Sequence, residues 1–185
     1  MQFKYGMSAL ALVAALSAPI AAKAALTADQ TTQIQAAVDA AMTNGDTGKL
    51  QALLTTLTTT NPNDAAAITD AATNQITKDL AANPTATVAG STTTIGEAVT
   101  SATITSIIAA APAQAGLVLA EAQTTLTADL QVAAITAAQA GLAPAAGGNK
   151  QQNQIRNELK VVIADLKQLV QLVAQIEKRI TASPT

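Results

Sequence analysis

Chemistry in this chain rests on carboxylates, lysines and hydroxyls, because its 185 residues include neither histidine nor cysteine. The usual general base and the strongest protein nucleophile are therefore absent, and disulfides and anchoring through a lipid-modified cysteine are excluded. A pair of carboxylates that flanks a scissile bond is the remaining arrangement that could hydrolyse a substrate. Whether such a pair exists depends on where each acid lies on its helix.

The acidic residues lie where helix physics already accounts for them. Asp29, Asp64 and Glu97 come near predicted helix N-termini, where the helix dipole favours negative charge. Five other acids lie outside the apolar rows of their helices: Asp39, Asp70, Asp79, Glu121 and Asp129. We therefore predict no catalytic residue and a protein that is not an enzyme.

Two short motifs have some features of ligand sites. Residues 45–49, Gly-Asp-Thr-Gly-Lys, are similar to the end of a phosphate-binding loop, but the first glycine is missing and Leu50 stands where Ser or Thr is needed. The turn from Asn61 to Asp64 offers oxygen atoms to a hard cation, yet its acids lack the spacing of a calcium loop. We interpret both as turns between helices, and we expect no cofactor and no metal site.

The first 24 residues have the pattern of a secretory signal peptide. Lys4 supplies a basic start, an apolar run extends from Met7 to Pro19, and Ala22-Lys23-Ala24 fits a cleavage site. The apolar run is short for a membrane span, and the cleavage site follows it directly. The sequence therefore predicts export to the periplasm or the cell exterior, with a mature chain that begins at Ala25.

Removal of this segment leaves a chain without aromatic residues, because Phe3 and Tyr5 lie within it. A core of Ala, Leu, Ile and Val then depends on many close helix contacts, since no large anchor is present. Residues 25–148 carry two lysines and nine acids, a net charge of −7, whereas residues 149–185 carry six basic residues and three acids, a net charge of +3. This pattern favours a basic helix that folds back on an acidic body, and we expect no nucleic-acid binding.

Apolar spacing predicts an all-α fold, an Ala/Thr-rich bundle of about six helices. Five of them fill residues 25–142, where Thr27, Thr47 and Thr94 are predicted caps and Thr94 has capping-box spacing to Glu97. The second helix is predicted to end at residues 58–60, because three threonines weaken it, and the fifth to run unbroken over residues 113–140. Residues 85–94 are predicted to form a loop rather than a hairpin, and residues 143–148 a Pro/Gly/Ala linker.

A faint internal repeat accompanies these helices. Residues 60–65, Thr-Asn-Pro-Asn-Asp-Ala, resemble residues 110–115, Ala-Ala-Pro-Ala-Gln-Ala, and each stretch opens a helix. The distances between the prolines are not constant, so we interpret the repeat as reuse of one kind of helix connection rather than as a solenoid.

The sixth helix, predicted over residues 149–182, is a long amphipathic heptad helix. Its apolar row has alternating spacings of four and three: Ile155, Leu159, Val162, Leu166, Leu169, Val173, Ile176 and Ile180. Ile163, Val170, Leu172 and Val161 widen the apolar face beyond that of a two-stranded coiled coil. Two interpretations remain open: the row packs along the earlier helices, or it joins copies of the chain into a homo-oligomer.

The uncharged stretch from Ala98 to Ala120 is a second candidate for function. Its 23 residues reach the length of a membrane span, although Pro112, Gln114 and Gly116 oppose insertion. The sequence as a whole predicts an exported, non-enzymatic structural or protein-interaction protein of the cell envelope or exterior. The alternative is a membrane-active protein that inserts residues 98–120.

Overall fold

The computed structural model describes residues 25–82, residues 86–142 and eight helical positions further on. These eight are Asn153, Asn157, Lys160, Val161, Ile163, Ala164, Lys167 and Gln168. The predicted signal peptide, the linker 143–148 and the eight residues of the heptad row lie outside the described residues. The described part of the chain is mostly helical and has no strand, which confirms the all-α prediction.

Six α-helices follow one another between residues 25 and 142. They are α1 (Ala28–Asn44), α2 (Gly48–Thr60), α3 (Ala65–Ala82), α4 (Ile95–Ala110), α5 (Ala115–Thr125) and α6 (Ala128–Gly141). Short 3-10 turns precede α3 and α5, at Pro62–Asp64 and Pro112–Gln114. Residues 86–94 form the predicted loop, which a single antiparallel bridge between Thr87 and Thr94 closes.

The predicted cap at Thr27 and the predicted capping box at Thr94 are confirmed, and the cap at Thr27 is also a capping box. The Thr27 hydroxyl accepts the amide of Gln30 at 3.2 Å, and the Gln30 side chain accepts the amide of Thr27 at 2.9 Å. Thr94 and Glu97 repeat this exchange at 3.1 and 2.8 Å. Each box satisfies donors that the first helical turn would otherwise leave unpaired.

The start and the end of α2 differ from the predictions. Thr47 occupies the N-cap position but makes no side-chain cap; the carboxylate of Asp46 accepts the amide of Gly48 instead, at 2.9 Å. The helix also continues through the threonine run to Thr60. Thr56 and Thr60 each donate their hydroxyl to the carbonyl four residues earlier, at 2.8 Å, and Thr58 is buried. The two hydrogen bonds help to offset a propensity cost of at most ~0.7 kcal/mol per threonine.

The predicted helix over residues 113–140 is wrong in one respect, because the chain breaks it in two. Leu126 has an extended backbone, with φ −87° and ψ 147°, and Thr127 is the N-cap of α6. The Gln131 amide donates to the carbonyls of Gln123 and Leu126 at 3.0 and 2.9 Å, which satisfies carbonyls at the break. Residues 126–129, Leu-Thr-Ala-Asp, repeat residues 26–29 at the start of α1, so the sequence carried a start signal here.

The two connections of the internal repeat have the same backbone geometry. Asn61 has φ −141° and ψ 87°, and Ala111 has φ −133° and ψ 69°. Each donates its amide to the carbonyl four residues earlier, at 3.0 Å in Asn61 and 2.9 Å in Ala111, and each precedes a proline that starts the 3-10 turn. The resemblance in sequence therefore corresponds to one kind of helix connection used twice.

The helices form two rows, because each packs most closely against a helix two positions away along the chain. One row holds α1, α3 and α5, and the other holds α2, α4 and α6. Helix α4 lies in the middle and contacts all five other helices. Its buried side chains include Val99, Ile104, Ile107 and Ile108. The uncharged stretch 98–120 therefore begins within α4, the central helix of the core.

The most extensive packing joins α4 to α6 and depends on small residues. A side chain at Gly141 would place its Cβ 3.0 Å from the Thr105 carbonyl oxygen and 3.1 Å from Ile108 Cβ. The Thr105 hydroxyl donates to the carbonyl of Ala137 at 3.2 Å. The backbones of the two helices therefore approach closely, which increases the contact available to a core without aromatic residues.

Buried threonines form two groups that differ in their hydrogen bonds. Between α3 and α5, Thr125 donates its hydroxyl to that of Thr73 at 2.7 Å, and Thr73 donates to the carbonyl of Thr69 at 2.8 Å. In contrast, the hydroxyls of Thr100 and Thr103 on α4 are fully buried and have no hydrogen-bond partner. A buried hydroxyl without a partner costs free energy, whereas a paired one contributes to stability.

Alanine substitutions at two helical glycines should have opposite effects. Gly141→Ala is expected to lower the free energy of unfolding by about 1–3 kcal/mol, because the added methyl overlaps a backbone carbonyl and a β-branched side chain. Gly116→Ala meets nothing within 4 Å and should raise it by up to about 1 kcal/mol through helix propensity. Urea unfolding followed by circular dichroism measures both. Equal stability of the two variants would contradict the close α4–α6 contact.

Valine substitutions should separate the two threonine groups. Thr103→Val removes an unpaired buried hydroxyl and should stabilise the chain by about 1 kcal/mol. Thr73→Val breaks the bonds to Thr69 and Thr125 and should destabilise it by about 1 kcal/mol. Thermal unfolding of both variants provides the comparison, since each change replaces a hydroxyl with a methyl at a fully buried position.

Candidate functional site

Two clefts lie on either side of Leu80, in the last turns of α3. The larger, of about 630 Å³, lies toward the starts of α4 and α6, and the smaller, of about 370 Å³, lies toward α1. The larger cleft is lined by Thr77, Leu80, Ala81, Thr94, Glu97, Thr127, Asp129, Leu130 and Val132. The smaller is lined by Asp39, Met42, Thr43, Asp79, Leu80, Ala82, Ala86, Ile95 and Gly96. Four of the nine acids of residues 25–148 thus lie around this end of the molecule.

The wall between the clefts depends on a glycine. A Cβ at Gly96, in the first turn of α4, would lie only 2.8 Å from Leu80 Cδ2. The absence of a side chain at Gly96 lets Leu80 lie against the helix start, which closes the space between the clefts. Val88 of the loop packs on the same core, near the Gly45 turn between α1 and α2.

The smaller cleft contains the pair of carboxylates that sequence analysis did not bring together. Gln75 on α3 donates from its Nε2 atom to Asp39 Oδ1 on α1 at 2.5 Å and to Asp79 Oδ1 at 2.9 Å. Gln75 is buried, with 6% of its surface exposed, whereas Asp39 lies at the surface. Two acids 40 residues apart in sequence therefore share one buried amide nitrogen.

This arrangement affects the protonation of Asp79. Partial burial, and then the negative charge and hydrogen bond of Asp39, raise the pKa of Asp79 above the ordinary value of an aspartic acid. The Gln75 amide and the Lys78 ammonium lower the pKa of Asp79, but these contributions are smaller. Asp79 therefore retains its proton at pH values where an isolated aspartate is ionised.

The chemistry open to this pair is proton exchange and hydrogen bonding. Both Oδ1 atoms are already bound to one Gln75 nitrogen, which holds the two carboxyl groups side by side rather than across a substrate-sized gap. Among the residues that the structure describes, no group of three or more acids converges as ligands for a metal ion. The site combines a carboxyl group of raised pKa with a cleft lined in part by apolar side chains, and the one hydroxyl in the cleft lining, that of Thr43, donates to the backbone carbonyl of Asp39.

The predicted packing face of the C-terminal helix is flanked in sequence by residues that the structure describes. The eight heptad residues lie outside the described part of the chain, so their contacts stay predictions. Ile163 is buried, with 3% exposed, and belongs to the same apolar core as α1–α6. Val161, two residues earlier, is 63% exposed. One side of this segment thus faces the core and another faces solvent.

The uncharged stretch 98–120 bends sharply between α4 and α5. The segments Ile95–Ala110 and Pro112–Thr125 meet at 117°. Taken singly, each helix in the described ranges falls short of the length and apolar character needed to cross a membrane, while this bent pair meets both requirements together. Leu117, on the second segment, is 53% exposed.

Comparison of the chain with protein-family models, with curated proteins and with solved structures finds no match. Functional inference therefore rests on the residues and contacts described above.

The raised pKa of Asp79 predicts a specific pH dependence of stability. Because the folded chain holds a proton that the unfolded chain releases more readily, the contribution of this group to stability is largest below about pH 4. That contribution is lost as the pH rises through the raised pKa of Asp79. Asp79→Asn resembles the protonated acid, so it should raise the free energy of unfolding at pH 7 and flatten its slope between pH 4 and pH 7.

Chemical unfolding at several pH values measures this slope. Asp39→Asn should have a smaller effect of the same sign, since it removes the repulsion but leaves the desolvation of Asp79, and the double variant should gain little more than Asp79→Asn alone. Fully additive gains, or an unchanged slope in both single variants, would show that the two carboxyl groups do not interact.

Proposed function

We propose that the chain is an exported, non-enzymatic structural or protein-interaction protein of the cell envelope or exterior. In this proposal residues 1–24 are a signal peptide, and the mature chain is a helical bundle. Its C-terminal heptad helix, residues 149–182, packs along the acidic body 25–142. The burial of Ile163 in the core of α1–α6 is the observation that carries this arrangement.

The exposure of the described C-terminal residues supports a single packing face. Asn157, Val161 and Gln168 are exposed, and a helix at 100° per residue places them within about 40° of one another. The half-buried residues Lys160 and Lys167 lie within about 60° of Ile163, and the half-buried Asn153 and Ala164 lie between Ile163 and the exposed group. An ideal helix continued through this segment would put Leu159 and Leu166 opposite the exposed group. The heptad row is therefore the face that we propose to pack on the body.

Charge and apolar area favour this packing. The body has a net charge of −7 and the segment from residue 149 onward a net charge of +3, so the two attract each other. Burial of each aliphatic side chain of the row contributes about 1.5–3 kcal/mol. A helix with this row unburied would lose that contribution, so a partner surface is strongly favoured. Self-association of the chain through any remaining apolar surface is a second use of the same helix.

Removal of the C-terminal helix tests the arrangement. A chain of residues 25–148 should melt at least about 10 °C below residues 25–185, because 1 kcal/mol corresponds to about 2–4 °C in a domain of this size. Light scattering on both chains measures their mass in solution. An oligomer of residues 25–185, together with a truncated monomer of unchanged melting temperature, would instead assign the helix to self-association alone.

A matched pair of substitutions tests the proposed face directly. Ile163→Asp places a charge in the core and should unfold the chain or destabilise it severely. Val161→Asp changes an exposed side chain of the same helix and should alter stability by less than about 0.5 kcal/mol. A similar effect of the two variants would contradict one-sided packing on the body.

A membrane-active function through residues 98–120 is the second proposal. The observation that favours it is the bent pair of segments, which together have the length and composition of a membrane span. Insertion would require α4 to leave the centre of the core, where it contacts every other helix between residues 25 and 142. Flotation of residues 25–185 with anionic and neutral liposomes tests this proposal, and a protein that stays entirely in the lipid-free fraction would reject it.

A further inference from the structure

We infer that Asp39, Gln75 and Asp79 form a pH-sensitive latch that holds the C-terminal parts of α1 and α3 together over the smaller cleft. With one proton on the pair, the two carboxyl groups and the amide form a closed set of hydrogen bonds. With both carboxyl groups ionised, they repel each other and the ends of the helices separate. This inference goes beyond the proposed structural role and does not depend on it.

The geometry of the amide is the first argument. The Gln75 Nε2 atom has two hydrogens, and each is donated to a different carboxyl group, at 2.5 and 2.9 Å. The two acceptor oxygens are therefore no more than about 5 Å apart, within the range where like charges interact strongly. Gln75 is almost fully buried, so this donor stays fixed between the two helices.

The second argument is the charge that surrounds the pair. From α3, Lys78 is the cation that acts on Asp79 within the described residues, and its side chain is exposed, so water screens it. Helix α4 presents Ile95 and Gly96 to the cleft, and α1 presents Met42 and Thr43 beside Asp39, none of which carries a charge. Glu97, also on α4, lies in the other cleft. A proton is thus the main means by which the described surroundings can neutralise the pair.

The third argument is the position of the pair at the rim of an apolar-walled cleft. Met42, Leu80 and Ile95 line the same space of about 370 Å³. Leu80 is held against Gly96, and Asp79 precedes it in the last turns of α3. Separation of the helix ends would move Leu80 away from Gly96 and expose these apolar side chains. The latch therefore makes access to the smaller cleft depend on pH. The cleft opens as the pH rises.

Distance measurement between the two helix ends tests the latch. The chain has no cysteine, so spin labels attach only at introduced cysteines. Ala40 on α1 and Ala82 on α3 are exposed and near the pair, so Ala40→Cys and Ala82→Cys provide the two labelling sites. Double electron–electron resonance on the full chain at pH 4 and pH 8 should give a longer mean distance at pH 8. In the Asp79→Asn background the distance should be the same at both values and equal to that of the parent at pH 4.

Two controls separate the latch from a general effect of pH. Asp129→Asn removes one exposed negative charge from α6 and should leave the pH-dependent change of distance in place. Circular dichroism at both pH values should show equal helix content. An unchanged distance in the parent chain, or the same lengthening in Asp79→Asn, would overturn the inference.

Discussion

The close contact between α4 and α6 is the constraint on which the described core depends. Residues 25–142 contain no aromatic side chain, so the area that each residue can bury is small. At Gly141 and Ala137 the two backbones approach so closely that a carbonyl and an isoleucine occupy the space of a missing Cβ. Close backbone contact thus replaces the large side chains that usually fill such a core. Helix α4 then provides the surface on which every other helix between residues 25 and 142 packs.

Threonine has two physical roles in this core. As a β-branched residue it weakens a helix slightly, but its hydroxyl can bond to the preceding turn, as Thr69 does to Ala65 at 2.7 Å. Between α3 and α5 the hydroxyls also bond across helices, where Thr77 donates to the carbonyl of Thr125 at 3.1 Å. These hydrogen bonds are directional, so they restrict the relative position of the two helices more strictly than aliphatic contacts do.

Local features of the fold could be predicted from the sequence, because their causes lie within a few residues. The two capping boxes and the proline connections are of this kind. The break at Leu126 also has a local cause, the repeated Leu-Thr-Ala-Asp start signal. The apolar spacing is continuous over residues 113–140, however, and it led to the prediction of one unbroken helix. The heptad row is equally clear in sequence, yet its partner surface depends on tertiary packing.

The acid pair is a different case. Asp39 and Asp79 lie outside the apolar rows of α1 and α3, which correctly indicates a polar face for each helix. Whether two such faces meet depends on how the helices are rotated against each other, and that rotation is set by Ile34, Val38, Ala72 and Ile76 in the core. Gln75 lies between Asn74 and Ile76 in sequence, and only the tertiary packing shows that its amide is buried.

The two rows of helices have a consequence for how the chain reaches its native state. Since each helix packs mainly on helices one to three positions away along the chain, its contacts close loops of moderate length, such as the 36 positions between Asp39 and Gln75, and the entropic cost of closure grows only slowly with loop length. Such a chain should fold quickly, with a nucleus around α4, whose neighbours lie on both sides of it in sequence. Helix α1 is at one end of its row and can detach while the contacts of α4 with α6 persist, so protection from hydrogen exchange should increase from α1 toward α4.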